Sequence, residues 1–259
     1  MVSEARGAVK GLERQSTPDR GALQSATYGK LLELLRRNRP GPAAQRRIAI
    51  DASDVEPLMT TPRDLLIVAM GTVPDRPVER GDLSLALAGA EMIDLIGAHA
   101  LSLDGDVIVP GPQPAIADRL LDEAASSLDR QAPYEAVGDW LWRRGRGLSA
   151  AYAAELEQEG EITRRRHRWT PFRTSRPVLA DSPAHHEAAD RWTSDEPVLA
   201  ALAAAVGIRG EPSEDAPAVA DEAVVTVLAA VNDAVMELGA VRQRRAIEEA
   251  AFDNIWRGD

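Results

Sequence analysis

An apolar segment with the sequence DLSLALAGAEMIDLIG runs from Asp82 to Gly97. Coiled as a helix, it would present apolar residues on most sides rather than on one stripe. This pattern is typical of a central helix that other elements surround. A separate helix is predicted just upstream, with Thr61 as its N-cap and Pro62 at the first helical position.

Alternation of apolar and polar residues predicts a β-hairpin after the central helix. The segment ALSLDGDVIVP, residues 100–110, alternates around Asp104-Gly105. An Asp-Gly pair between two alternating runs is a strong signal for a two-residue turn.

Amphipathic periodicity predicts the remaining helices. Three precede the middle of the chain: PAIADRLLDEAASSL, PYEAVGDWLWRR beginning at Pro133, and GLSAAYAAELEQEG ending at Gly160. Four follow: ADSPAHHEAADRW, SDEPVLAALAAAVGI, DEAVVTVLAAVNDAVMELGA and RRAIEEAAFDNIW. The fold class expected is mainly α, a helical bundle surrounded by amphipathic helices, with two projecting β-hairpins.

The first 58 residues differ in pattern from the rest. Pro, Gly, Ser and Gln are scattered through them, and RNRPGPAAQRR would break a helix. We expect residues 1–58 to be a disordered N-terminal extension and residues 59–259 to be a single helical domain.

Composition narrows the functional classes. The chain has no cysteine and only two lysines, and neither lysine belongs to a phosphate-binding loop. We find no motif for a nucleophile, a metal or a nucleotide, so we expect a protein that is not an enzyme and that needs no cofactor or metal. No uninterrupted apolar run approaches the roughly 20 residues of a membrane span, and the N-terminus lacks the apolar core of a signal peptide.

Charge is distributed unevenly along a chain whose formal net charge is −11. The segment RRRHRWTPFRTSRP, residues 164–177, contains six arginines and no acid. We predict a second hairpin here, with Arg164, Arg166 and Arg168 on one face and Arg173 on the returning strand. Trp169 and Phe172 flank its tip, where aromatic rings favour a membrane interface.

A second basic group lies at the predicted end of the helix PYEAVGDWLWRR. It consists of Arg143, Arg144 and Arg146. Basic residues at a helix C-terminus are favourable to the helix dipole, so these arginines have a structural explanation as well as a binding one.

Four segments in order resemble one known family: DLLIVAM, LALAGAEMIDLIGAHALSL, LLDEAASSL and LEQEGEIT. They are similar to the Golgi phosphoprotein 3 family in its high-GC actinobacterial form, from about Pro62 to Trp256. The resemblance implies a mostly helical fold with a very apolar core helix and a membrane-facing hairpin. It also implies a non-enzymatic peripheral membrane protein that recognises phosphatidylinositol 4-phosphate and grips the tails of membrane proteins.

The resemblance also implies a headgroup pocket built from one tryptophan and three arginines. Carried over residue by residue, the tryptophan falls on Glu79 and the arginines fall on Ala88, Arg146 and Ser149. Arg146 alone matches, and Arg143 and Arg144 are close enough in sequence to compensate.

Three functions fit these observations. The first is a cytoplasmic protein held on the inner face of the membrane by anionic lipids, with membrane-protein tails or a second copy of the chain as further partners. The second is a domain whose arginines pair with its own acids or with another subunit. The third is a winged-helix-like nucleic-acid binder, ranked last because Glu155, Glu157 and Glu159 precede the basic hairpin and would repel phosphate.

Overall fold

The structure is a computed structural model that describes residues 60–72, 77–164, 177–208 and 219–257. The chain divides into two units, Met1–Val55 and Glu56–Asp259, and every described residue belongs to the second. The predicted disorder of residues 1–58 concerns positions outside the description and stays a prediction.

Eight helices and four short strands form the described part of the chain. The helices are α1 (Thr61–Gly71), α2 (Arg80–Gly97), α3 (Arg119–Ser126), α4 (Val137–Arg144), α5 (Leu148–Gln158), α6 (Pro183–Thr193), α7 (Pro197–Ala205) and α8 (Glu222–Arg257). The strands are β1 (Leu101–Asp104), β2 (Val107–Pro110), β3 (Ile162–Arg164) and β4 (Pro177–Leu179). This confirms the predicted class, mainly α with two β-hairpins.

Helix α2 is the centre of the core, as its apolar pattern predicts. It contacts α1, α3, α4, α5, α7 and α8. Gly89 lets α8 approach closely, because a Cβ built on Gly89 would lie 2.3 Å from Cγ2 of Val231. A bidentate ion pair joins the same two helices, with Arg242 donating to both oxygens of Asp82 at 2.8 and 2.7 Å.

Both hairpins are present, with one correction to the turn of the first. Strands β1 and β2 pair antiparallel, and Asp104 lies opposite Val107. The two turn residues are therefore Gly105 and Asp106, one position later than predicted. Gly105 has a φ of +63°, which a glycine adopts without strain.

The second hairpin is described only at its base. Strands β3 and β4 pair Ile162 with Leu179 and Arg164 with Pro177. Arg166, Arg168, Trp169, Phe172 and Arg173 lie outside the described residues.

Three helix starts differ from the prediction, two because of tertiary contacts and one because of a local side-chain cap. Thr60 is the N-cap of α1, and Asp94 of α2 accepts a hydrogen bond from the Thr61 N–H at 2.8 Å. Helix α4 begins at Val137 rather than at Pro133, since the backbone of residues 135–137 pairs with the first hairpin. Helix α3 begins only after Asp118, whose side chain caps it.

The two helices predicted at the C-terminus are one continuous helix, α8. Gly239 does not end it, because a single glycine costs only about 1 kcal/mol in a helix and strong helix formers follow. By length and composition alone, the segment Glu222–Ala250 of α8 could cross a membrane: an 18-residue window within it has a mean hydropathy of 1.7. A single helix of this kind is weak evidence for a span. In the structure 22% of that window is buried, and Val227 and Val231 of α8 lie in the core.

Candidate functional site

A cavity of about 310 Å³ opens where four helices converge. We call it the Arg80–Arg146 pocket. Its lining comes from the start of α2, the end of α4, the turn between α4 and α5, the start of α5, and the middle of α8: Arg80, Gly81, Ser84, Leu85, Trp142, Gly145, Arg146, Gly147, Ser149, Ala150 and Leu238.

The turn between α4 and α5 holds Arg146 in place. Gly145 packs so tightly that an added Cβ would lie 2.7 Å from the Leu141 carbonyl oxygen and 3.3 Å from that of Ser84. Gly147 follows with a φ of +72° and begins α5. Arg146 thus stands between two glycines that the backbone geometry requires.

Two serines join the α2 and α5 walls of the pocket. The Ser84 hydroxyl donates to the Ser149 hydroxyl at 2.9 Å and accepts from the Ser149 N–H at 3.1 Å. Ser149 also donates to the carbonyl of Arg80 at 3.3 Å. The first turns of α2 and α5 are therefore fixed side by side.

The electrostatics of the pocket favour an anion. Helix N-termini carry a partial positive charge, and α2 and α5 both begin at this cavity. Arg80 and Arg146 are both exposed, and the described part of the chain supplies no carboxylate within ion-pair distance of either. No acidic residue in the described ranges lines the pocket. The pocket is an electropositive recess in a chain with a net charge of −11.

Arg144 is directed into the core instead. Its guanidinium binds both oxygens of Glu91 at 2.8 and 2.9 Å and also donates to Glu123. Tyr152 donates to the same Glu91 carboxylate at 3.0 Å, and Glu91 is fully buried. The Arg144 side chain is only 10% exposed, so its charge is directed at internal partners.

Burial and pairing act in opposite directions on the ionisation of this group. Burial raises the pKa of Glu91, and the hydrogen bonds and charge of Arg144 counteract that rise. Burial would lower the pKa of Arg144, but Glu91 and Glu123 more than offset it and the net change is a rise. The guanidinium therefore stays charged inside the fold.

Arg143 is paired with an acid, like Arg144, but its side chain is more exposed to solvent. It donates to both oxygens of Glu135, at 2.8 and 2.7 Å, and its side chain is 44% exposed. The hydrogen bond to Glu135 raises the pKa of Arg143. An anion would have to compete with Glu135 for this side chain.

Of the four pocket positions carried over from the resemblance, Arg146 and Ser149 line the cavity. Ala88 is fully buried in α2, and Glu79 is the N-cap residue of that helix. Sequence reasoning missed Arg80. Arg80 directly follows Glu79, one of the carried-over positions. The resemblance therefore pointed to the correct segment of the chain but not to Arg80 itself.

The sequence-predicted site residues that the structure describes fall into three groups. Arg146 lines the pocket, Arg143 and Arg144 pair with acids of the fold, and Arg164 ends strand β3 at the base of the second hairpin. Within the described ranges, no three His, Asp or Glu side chains form a group that could hold a metal.

A comparison of the sequence with known protein families gives the same family as the four ordered segments of the sequence analysis. The sequence profile of the family described as Golgi phosphoprotein 3 (GPP34) matches residues 62–250, which is most of the chain. A search of curated proteins finds no significant match. On the profile match, the chain belongs to the Golgi phosphoprotein 3 family.

Proposed function

We propose that this protein is a non-catalytic peripheral membrane protein that binds the phosphate of anionic lipid headgroups in the Arg80–Arg146 pocket. The observation that carries the proposal is the pair of exposed arginines at the start of two helices, with no acid among the described residues that line the cavity. Guanidinium groups and helix N-termini are both preferred ligands for phosphate. Membership of a lipid-binding family supports the same reading.

The basic hairpin is the second membrane contact in this proposal. Its base is the β3–β4 pair, and its sequence places Trp169 and Phe172 between arginines. Near an anionic leaflet each basic side chain contributes about 1 kcal/mol, and an inserted aromatic ring contributes roughly 1.5–3 kcal/mol. After screening and the loss of freedom on docking, a net 4–8 kcal/mol corresponds to roughly millimolar to micromolar binding.

The pocket and the hairpin base lie at opposite ends of α5. An eleven-residue helix is about 16 Å long, so a flat surface contacts both when α5 lies along it. In this orientation the protein attaches reversibly to the cytoplasmic face of the membrane. There it can act as an adaptor for the tails of membrane proteins, with a second copy of the chain as a further partner.

Headgroup preference is the first property to test. Three of the four carried-over pocket positions, Glu79, Ala88 and Ser149, lack the residue that the family resemblance implies. We therefore expect binding to phosphate-bearing anionic lipids in general, with a modest preference for phosphatidylinositol 4-phosphate over phosphatidylglycerol.

Sedimentation with vesicles tests the proposal. The full chain is spun with neutral phosphatidylcholine vesicles, with vesicles that also contain phosphatidylglycerol, and with vesicles that also contain phosphatidylinositol 4-phosphate. We expect it to pellet with both anionic mixtures and to remain in solution with the neutral one. Equal pelleting with all three, or a gel shift of random duplex DNA at protein concentrations that leave anionic vesicles unbound, would refute the proposal.

A variant with Arg166, Arg168 and Trp169 all changed to alanine tests the hairpin separately. It should sediment less well than the wild type with the anionic vesicles while remaining folded. Unchanged sedimentation would remove the hairpin from the binding surface and leave the pocket as the proposed site.

A further inference from the structure

A second and larger cavity, of about 720 Å³, lies away from the Arg80–Arg146 pocket. It is enclosed by the C-terminal end of α2, strand β1, the loop before α3, and the start of α8. Most of its wall is apolar, and the apolar residues that line it include Ile93, Ile96, Leu103, Ile116 and Val224. Its volume is within the range of small-molecule sites, about 300–1,000 Å³.

The polar part of this cavity is acidic. Asp94, Asp118 and Asp221 line it, and no lysine or arginine among the described residues does. Each aspartate accepts a backbone N–H at the start of a helix: Asp94 from Thr61, Asp118 from Leu121 and Asp221 from Ala223, all at 2.8 Å. These bonds explain why the acids are present, but they do not neutralise them.

Cations act on two of the three aspartates. Arg63 pairs with Asp118 at 3.1 Å, and the charge of Arg191 acts on Asp94 from beyond ion-pair distance. Asp94 and Asp221 form no ion pair within the part of the chain that the structure describes, so the cavity keeps a local negative charge.

A buried hydroxyl lines the cavity together with Asp94. It belongs to Thr60, which is 4% exposed, and its Oγ1 has no hydrogen-bond partner among the described residues. Its neighbour Thr61 donates to Asp94, which places Thr60 next to that carboxylate. A buried hydroxyl without a partner costs about 1–3 kcal/mol, so a hydrogen-bond donor held at this point would be stabilised.

Burial makes Asp94 a weaker acid. It raises the pKa of this carboxyl to about 6, although the hydrogen bonds with Thr61 and the charge of Arg191 counteract the rise. An anion that is poorly solvated gains more from a nearby cation than an exposed one does.

We propose that this cavity binds a small amphiphile with an apolar body and a single ammonium head, the head lying against Asp94 and Thr60. The apolar walls accept the body, and the carboxylates select a cation. An ammonium group also supplies the donors that the Thr60 hydroxyl lacks. This charge preference is opposite to that of the Arg80–Arg146 pocket, so the two sites take different ligands.

Calorimetric titration of the full chain with three eight-carbon probes tests the proposal without any membrane present. Octylammonium and octanol share the same octyl tail, octanoate has a seven-carbon chain on its carboxylate, and the three heads are cationic, neutral and anionic. We expect octylammonium to bind with one-to-one stoichiometry, octanol to bind at least about tenfold more weakly, and octanoate to bind least. Equal affinity for octylammonium and octanol, a preference for octanoate, or binding of none would overturn the proposal.

Two substitutions test whether the probe binds in this cavity. Gly97 lines it, and a Cβ added there would meet no atom within 4 Å, so Gly97→Trp attaches a large side chain at the cavity without a clash at its Cβ. Gly138→Trp is the matched control, since its Cβ is equally free and Gly138 is not among the lining residues. We expect Gly97→Trp to weaken octylammonium binding at least about tenfold and Gly138→Trp to leave it unchanged. Unchanged binding in the Gly97 variant would contradict the assignment.

Asp94→Asn tests whether the ammonium head of the probe lies against the Asp94 carboxylate. The amide oxygen of the variant can still accept the Thr61 N–H, so the start of α1 keeps its hydrogen bond. We expect the preference for octylammonium over octanol to disappear in this variant, and a preserved preference would exclude Asp94 as the partner. Should the variant not fold, the probe series and the Gly97 variant still decide the proposal.

Discussion

Arg143, Arg144 and Arg146 occupy three different environments within four sequence positions. Arg144 pairs with a fully buried glutamate, Arg143 with a partly buried one, and Arg146 lines a cavity without an acid nearby. The local sequence shows only a basic helix end. Arg144 is directed into the core because it pairs with Glu91, which is 53 residues away in the chain. The sequence identifies the cluster of arginines, but it does not show which of them pair with acids of the fold and which line a cavity.

Arg144→Ala should destabilise the fold strongly. Removing one partner of a buried ion pair leaves the other charge uncompensated, which costs about 3–5 kcal/mol. The free energy of unfolding in urea measures the loss. The double variant Glu91→Leu/Arg144→Met removes both charges and should be more stable than Arg144→Ala. A loss below about 1 kcal/mol in Arg144→Ala would contradict the buried pairing.

Two carboxyls, Asp64 and Asp94, should make stability fall as pH rises from about 4 to about 6. Burial raises both pKa values to about 6, and the pairing of Asp64 with Arg191 only partly offsets this. The unfolded value is near 3.9, so the folded protein binds protons over this range that the unfolded chain does not. Their stabilising contribution is complete below about pH 4 and absent above about pH 7.

Asp94→Asn isolates one of these contributions. Between pH 7.5 and 5.5 the wild type should gain about 1 kcal/mol relative to this variant, because the amide cannot bind the proton. Urea unfolding at both pH values measures the difference. Asp106→Asn, in the exposed turn of the first hairpin, is the matched control. Parallel pH profiles for the wild type and Asp94→Asn would show that the carboxyl is not perturbed.

At the scale of elements, periodicity predicts which segments are helical better than it predicts where they begin. The central helix α2, both hairpins and the Gly160 cap, which has a φ of +84°, are recovered because each has a local signal. The start of α4 and the continuity of α8 are not recovered. The start of α4 depends on contacts with the first hairpin, which is distant in sequence. Helix α8 continues through Gly239 because strong helix formers follow the glycine, and Arg242 beyond it pairs with Asp82 of α2.

Gly89→Ala should show how closely α2 and α8 pack. Alanine normally stabilises a helix relative to glycine, but here its Cβ would lie 2.3 Å from Cγ2 of Val231. We expect a net loss of about 1–3 kcal/mol in urea unfolding, the range for overpacked cores. Gly138→Ala, whose Cβ meets nothing within 4 Å, should be neutral or stabilising. Adding Val231→Ala to Gly89→Ala should recover part of the loss, and no loss in Gly89→Ala would contradict the close approach.

At the scale of the whole molecule, the family and the fold class could be predicted from sequence because they rest on the order of several segments. The Arg80–Arg146 pocket could be predicted only in part. Its residues come from three separated stretches of chain, and Arg80 and Leu238 have no local signal that joins them to Arg146.

Residues 1–58 should be dispensable for folding of the helical domain. The described core is built entirely from the second unit, Glu56–Asp259. A chain that begins at Met59 should melt within a few degrees of the full chain, as measured by circular dichroism. A large fall in melting temperature would show that the first unit stabilises the second.

The central claim is that an otherwise acidic protein binds anionic membranes through the Arg80–Arg146 pocket. The most direct measurement compares the dissociation constants of three proteins for vesicles containing phosphatidylinositol 4-phosphate, at low and at physiological salt. These are the wild type, the pocket variant Arg80→Ala/Arg146→Ala, and the charge-matched variant Arg119→Ala/Arg130→Ala, which changes two exposed arginines outside the pocket lining.

Loss of two basic side chains near an anionic surface removes about 2 kcal/mol, so the pocket variant should bind roughly 10- to 30-fold more weakly at low salt. At physiological salt the charge-matched variant should bind within about threefold of the wild type, since charge is largely screened beyond a Debye length of about 8 Å. Equal weakening in both variants would show that the net charge of the protein, and not the pocket, accounts for membrane binding. Unchanged binding in the pocket variant would contradict the claim outright.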